Sequence, residues 1–176
     1  MQQPTKEVYS NKILTLIEGP KTSPSSIVND KIITISAPTW VNIIPITPND
    51  EVIFVKQYRY GTEKSTLEIP GGMVDPGESS RTAIERELLE ETGYLSNQIT
   101  KLGDISPNPA IFTNKVSSYF ACDVQKINNY VSQESEKIEV IIIPLRNIPN
   151  LIMNGEIDHA LVIAAFYLYD KLNITP

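Results

Sequence analysis

A change of period at Pro70-Gly71-Gly72 does more than any other feature to limit what this chain can fold into. Before it lie four short runs rich in Ile, Val and Thr: Lys12 to Glu18, Lys31 to Ser36, Val41 to Thr47 and Val52 to Tyr58. Such runs read as strands, and Pro48-Asn49-Asp50 supplies a turn between the last two. The densest loop signal of this half, Gly19-Pro20 through Ser26, separates the first two runs. After the glycines, Ser80 to Thr92 has the composition of a helix of about three turns, closed by Gly93. Further strand-like runs follow at Lys101 to Ile105, Val116 to Val124 and Lys137 to Pro144. Asp158 then caps a last helix running to about Asp170, with Ala160, Leu161, Ile163, Ala164 and Leu168 available for an apolar face. Strand runs on both sides of one helix, with a second helix at the end, predict an α/β fold: a mixed sheet between helices.

Size and charge narrow the function. At 176 residues, 41% hydrophobic and 20% charged, the chain has the size and composition of one globular domain. No apolar run reaches the roughly 20 residues that cross a bilayer, and Met1 to Ser10 is polar, so neither membrane insertion nor export is expected. The single cysteine, Cys122, cannot form an internal disulfide; within Tyr119-Phe120-Ala121-Cys122 it reads as a buried strand thiol, which suits a reducing, cytoplasmic setting. A net charge of -6 without any basic run argues against binding nucleic acid. An acidic chain that handles phosphates needs metal cations as intermediaries.

The chemistry is concentrated between Gly72 and Tyr94. At about 100° per residue, Glu90 and Glu91 fall within roughly 60° of Glu87, so three carboxylates leave the helix in similar directions. An isolated helix is destabilised by like charges so spaced. A solvated acidic face is the ordinary explanation of such a cluster. Here a glycine-rich loop carrying its own carboxylate, Glu78, precedes the helix, and Arg86 stands beside the cluster. That combination suits a hard divalent cation that bridges to substrate phosphates.

The segment resembles the signature of Nudix hydrolases, G-x5-E-x7-R-E-U-x-E-E-x-G-U, with Gly72, Glu78, Arg86, Glu87, Glu90, Glu91 and Gly93 in register and Tyr94 where an aliphatic residue is usual. Outside it, Gln57-Tyr58-Arg59, Leu67-Glu68-Ile69-Pro70-Gly71-Gly72, Pro109 sixteen residues beyond Gly93, Glu134-Ser135-Glu136-Lys137-Ile138 and Gly155-Glu156-Ile157-Asp158-His159-Ala160 resemble the ADP-ribose pyrophosphatase branch. Asn108-Pro109-Ala110-Ile111-Phe112-Thr113-Asn114 is similar to related nucleoside diphosphate sugar hydrolases.

The resemblance implies an α/β/α sandwich with a mixed β-sheet over residues 37–176. It also implies N-terminal strands within residues 1–36 that serve dimerisation. The implied activity is metal-dependent hydrolysis of a pyrophosphate bond in ADP-ribose or a nucleoside diphosphate sugar, with Mg²⁺ or alternatively Mn²⁺. By the same resemblance Glu87, Glu90, Glu91 and the Gly71 carbonyl are metal ligands, with Glu136 a further one. Glu134 is the candidate base and Glu91 also counts as catalytic; Arg86 and Glu78 orient the ligands; Arg59 and Glu68 contact substrate. Expected partners are a small nucleotide and a second copy of the chain, with neither nucleic acid nor membrane. The alternatives are hydrolysis of nucleoside triphosphates or coenzyme A, and a Nudix module that senses nucleotide without cleaving it.

Three residues carry plainer readings. Arg59 is also a plausible strand-end surface arginine. Trp40, opening a strand, reads as core or interface ahead of a base-stacking platform. The only histidine, His159, reads as structural or exposed, since no second His or free Cys joins it in a zinc-like set.

Overall fold

The computed structural model describes residues 5–20, 31–127 and 138–172. The strands in chain order are β1 (Lys6–Ser10), β2 (Thr15–Pro20), β3 (Lys31–Ser36), β4 (Trp40–Pro45), β5 (Glu51–Arg59), β6 (Lys64–Glu68) and β7 (Gly71–Met73). Helix α1 (Ser80–Thr92) follows, then β8 (Tyr94–Leu95), β9 (Ile99–Ile105), β10 (Val116–Ala121), β11 (Gln125–Lys126) and β12 (Glu139–Pro144), and last α2 (Ile148–Met153) and α3 (Ala160–Lys171).

Two sheets form the centre, in the orders β7-β4-β10-β9 and β12-β5-β6. The first is mixed, because β10 runs parallel to β4 and antiparallel to β9. Strand alternation sorts its side chains between two helices. Val41 and Ile43, with Ile53, Tyr119 and Ala121, pack against Ala83, Ile84 and Leu88 of α1. Ile44 and Ile46, with Val52, Phe54 and Phe120, pack against Val162, Ala165 and Phe166 of α3. The result is the helix–sheet–helix layering that the alternating pattern predicts. A separate sheet, β1-β2-β3, precedes it and contributes to neither core; Ile35 ties it to the body by donating to the Ile111 carbonyl at 2.7 Å.

Several elements differ from the sequence expectation. Gly19 and Pro20 end β2 instead of opening a loop. They pair with Ile32 and Lys31 of β3, while the pairing with β1 reaches only to Glu18, so the missing proline N–H is no loss. The first strand run starts late, because the Asn11 side chain accepts from Ile13 N at 2.8 Å and Leu14 N at 2.9 Å and turns the chain there. The short strands β1, β6 and β7 and the one-and-a-half turns of α2 carry too little periodicity to be read from sequence. Cys122 lies just past β10 and is half-buried, its thiol donating to Gln98 Oε1 at 3.3 Å, not a strand thiol sealed in the core. Among the described residues no helix is long and apolar enough to cross a membrane.

Candidate active site

Local chemistry delimits α1. The Ser79 hydroxyl accepts from Thr82 N at 3.1 Å, and Gly93 adopts φ 72° to close the helix with a bond to the Leu89 carbonyl at 2.8 Å. The face turned to the sheet holds Ala83, Ile84 and Leu88, and with them Glu87 and Glu91, only 8% and 6% exposed. Glu90 lies on the flank with its side chain 42% exposed. The three carboxylates expected to project together are thus two buried groups one turn apart and a third beside them.

Space for the buried pair comes from β7, the edge strand beside β4. A β-carbon on Gly72 would stand 2.2 Å from Glu87 Oε1, so the missing side chain is the room the carboxylate occupies. A β-carbon on Gly71 would meet the Val41 carbonyl at 2.2 Å and Asn42 Cα at 2.9 Å, so this glycine is required by close approach of backbone. The Gly71 N–H donates to Glu91 Oε2 at 2.9 Å, which aims that carboxylate at the glycine pair.

Arg86 joins the cluster. Its Nε and Nη2 donate to Glu78 at 3.2 and 3.0 Å, and its Nη1 donates to Glu87 Oε1 at 2.9 Å and Glu90 Oε2 at 3.1 Å. Nη2 also reaches the Met73 carbonyl at 3.1 Å. The Glu78 bond, ahead of the charges of its neighbours, raises the guanidinium pKa further. In return the Arg86 bond, assisted by the Asp75 N–H, holds the Glu78 carboxyl below the ordinary range.

The donors around the glycine pair are oxygens, the kind that bind hard cations such as Mg²⁺. Among the described residues no three His, Cys, Asp or Glu side chains converge tightly enough to hold an ion as they stand, and Arg86 spans Glu87 and Glu90. Two buried carboxylates beside a backbone gap are oxygen donors of the kind that fit a divalent ion.

The pair opens into a cavity of about 980 Å³. Gly71, Gly72, Glu87 and Glu91 line one part of it, Trp40, Met73, Val116 and Leu161 supply apolar wall, and Arg59, Glu68 and His159 line another part. Arg59 and Glu68 form a two-pronged ion pair, both bonds 2.7 Å. Burial pushes the Glu68 carboxyl up, but the bonds from Arg59 and Thr66 and the charge of Arg59 outweigh it, leaving the pKa below the ordinary value. Arg59 therefore reaches the cavity already engaged with Glu68, which sequence reading did not pair with it. Trp40 is half-buried, packs edge-on against Phe112 with centroids 5.7 Å apart, and lines the cavity. Glu134 and Glu136 lie outside the described residues.

The cap of α3 is His159, not Asp158. The imidazole Nδ1 accepts from Leu161 N at 3.2 Å, while Asp158 is taken by Lys64 Nζ at 2.5 Å. His159 Nε2 is also 3.6 Å from Glu68 Oε2. Among the cavity residues, Gly61, Thr62 and Thr66 fall in no segment read from sequence, and Asn42 lies in a strand run without having been singled out. The signal for Asn42 was present: an amide between Val41 and Ile43 interrupts an otherwise apolar strand.

Comparison with known proteins agrees with this architecture. The NUDIX domain family matches residues 38–166. The chain is 32% identical over 128 residues to the ADP compounds hydrolase NudE of Escherichia coli (strain K12), covering 73% of this chain and 68% of that protein. It is 31% identical over 166 residues to the methanol dehydrogenase activator of Bacillus methanolicus, covering 93% and 89%. It is 26% identical over 153 residues to the ADP-ribose pyrophosphatase of Bacillus subtilis (strain 168), covering 86% and 82%. A crystal structure of ADP compounds hydrolase superposes with a TM-score of 0.81 at 25% identity, over 98% of this chain and 92% of that one.

Proposed function

As a member of the Nudix family this chain is a pyrophosphohydrolase of nucleoside diphosphate derivatives, and we propose that its substrate is ADP-ribose or a nucleoside diphosphate sugar. The observation that carries the reading is the buried Glu87–Glu91 pair facing Gly71 and Gly72 at one part of a cavity large enough for such a ligand. The products are a nucleoside monophosphate and a sugar phosphate.

We assign Mg²⁺, with Mn²⁺ as substitute, to Glu87, Glu90, Glu91 and the Gly71 carbonyl, with Glu136 as a further ligand. When bound, the ion withdraws charge from the diphosphate and lowers the pKa of a water. The chain's own work is positioning. Arg86 and Glu78 hold Glu87 and Glu90 in place, the Gly71 N–H holds Glu91, and the cavity wall orients the diphosphate for in-line attack. Glu134 is the proposed base, taking the proton of the attacking water. Arg59 and Glu68 contact the substrate as a pair, in which Glu68 holds the guanidinium in the cavity.

The chain acts in the cytoplasm as a homodimer in this reading. The sheet β1-β2-β3 leaves Val8, Tyr9, Ile13 and Ile33 each about half exposed, an apolar surface that a second copy would cover, and light scattering on the purified chain decides it.

Phosphate release coupled to a phosphatase, with Mg²⁺, tests the activity on ADP-ribose, GDP-mannose, UDP-glucose, a nucleoside triphosphate and coenzyme A. The expected result is fastest turnover of ADP-ribose or a diphosphate sugar, abolished by chelation. Glu91→Gln and Glu134→Gln should each lose at least about 100-fold in kcat. Turnover of the triphosphate alone would overturn the substrate class, and full activity of Glu134→Gln would overturn the base.

A further inference from the structure

Asn42 is a polar residue in the apolar strand β4, 7% exposed, and it lines the cavity. Its Nδ2 donates to the Leu161 carbonyl at 3.3 Å, which fixes the orientation of the amide, since the flipped form would set oxygen against oxygen. Oδ1 is then left buried without a hydrogen-bond partner. Buried polar atoms are nearly always satisfied, and an unpaired acceptor on a residue that lines a ligand-sized cavity points to a group missing beside it.

Register locates that group. Asn42 pairs with Gly71 across β4 and β7, and Gly71 N is the donor that holds Glu91. Neighbouring strands lie about 4.8 Å apart, so the Asn42 backbone is about one sugar ring's width from the Gly71 backbone, beside which the diphosphate would be cleaved. Trp40 lies two residues along the same face, about 7 Å away, opposite Met73.

An amide oxygen only accepts, and diphosphate oxygens at neutral pH are acceptors too, so the diphosphate cannot satisfy it. The donors of a nucleoside diphosphate derivative within a strand spacing of the diphosphate are sugar hydroxyls. We infer that Asn42 Oδ1 accepts a hydrogen bond from a hydroxyl of a sugar adjoining the diphosphate, which makes Asn42 a specificity-determining residue. The inference rests on the substrate class proposed above. The hydroxyl belongs either to the ribose of the nucleoside or to the sugar beyond the diphosphate.

The competing account is internal. Ser118, in register with Asn42 on β10, is wholly buried and its Oγ is likewise unpartnered, so a buried water could join the two. That account predicts indifference to the sugar.

Calorimetric binding of methylene-bridged, uncleavable substrate analogues separates the two. Analogues with all hydroxyls are compared with ones deoxygenated on the nucleoside ribose, or on the outer sugar, against wild type and Asn42→Leu. The expected result is that one deoxy analogue binds wild type about 10-fold more weakly than its parent, that Asn42→Leu shrinks this ratio to under about 2-fold, and that its Tm does not fall. The analogue that loses affinity says which sugar is read. Wild type that binds every deoxy analogue as tightly as the parent overturns the inference without any variant, as does an equal loss by Asn42→Leu on parent and deoxy ligands. Should Asn42→Leu not fold, Asn42→Ser takes its place. Because binding is read without cleavage, a wild type that discriminates among the analogues but hydrolyses none of the corresponding natural diphosphates sinks the hydrolytic reading and leaves this one standing.

Discussion

Gly71→Ala and Gly72→Ala should fail in opposite ways although the residues are adjacent. At Gly72 the added methyl would lie 2.2 Å from Glu87 Oε1, 2.5 Å from its Cδ and 2.8 Å from its Oε2. All three atoms are the far end of one flexible side chain, and Gly72 is not among the glycines with positive φ. The carboxylate can therefore retreat, from 2.2 Å to an ordinary contact of 3.4 Å, about 1.2 Å. Reduced freedom of the unfolded chain offsets part of the strain, so stability should change by no more than about 1 kcal/mol. A carboxylate moved that far loses the geometry of its 2.9 Å bond with Arg86 and its place in the proposed metal site. Misplacement of about 1 Å costs roughly 100-fold in rate, or about 2.7 kcal/mol of transition-state stabilisation. At Gly71 the obstacles are the Val41 carbonyl and Asn42 Cα, which yield only if β7 leaves β4, so the variant should lose about 2–3 kcal/mol of stability. Denaturant melts and phosphate release on both variants give the comparison. A Gly72→Ala that keeps activity within about threefold, or one that melts as early as Gly71→Ala, refutes the reasoning.

Two further substitutions probe the electrostatics. Arg86→Ala removes four charge-assisted bonds from carboxylates that include the buried Glu87, and should cost about 1–3 kcal/mol at pH 7. Because Arg86 depresses the Glu78 pKa, that deficit should be full above the ordinary carboxylate range and fade as pH falls through the folded value; a deficit that persists unchanged at pH 3 contradicts it. Glu68→Gln breaks the Arg59 pair and should cost about 1–2 kcal/mol at neutral pH, at the low end because Arg59 is partly exposed. The folded Glu68 pKa is lowered from 4.5, so its contribution is present above that value and lost below it. Wild type and variant should converge in Tm in acid, and a gap that widens below pH 4 would refute the assignment.

What the chain determined by itself is local. Helix α1 begins and ends at the residues read from Ser80, Thr92 and Gly93, because caps and propensity act within a turn or two. The positions of Glu87, Glu90 and Glu91 around that helix follow from its period alone, as does the sorting of β4, β5 and β10 side chains to two faces. What tertiary structure decided is how far each charge leaves water and which distant partner it finds. Glu91 meets Gly71 across 20 residues and Asn42 meets Leu161 across 119, so both depend on strand register and helix placement that no local pattern encodes. The same holds for the different demands on Gly71 and Gly72, which read alike in sequence and face a backbone in one case and a carboxylate in the other. His159 caps α3, while the Asp158 side chain pairs with Lys64, 94 residues before it. Short-range energies choose the elements, and only their packing brings carboxylates, glycines and an unpaired amide oxygen to the walls of one cavity.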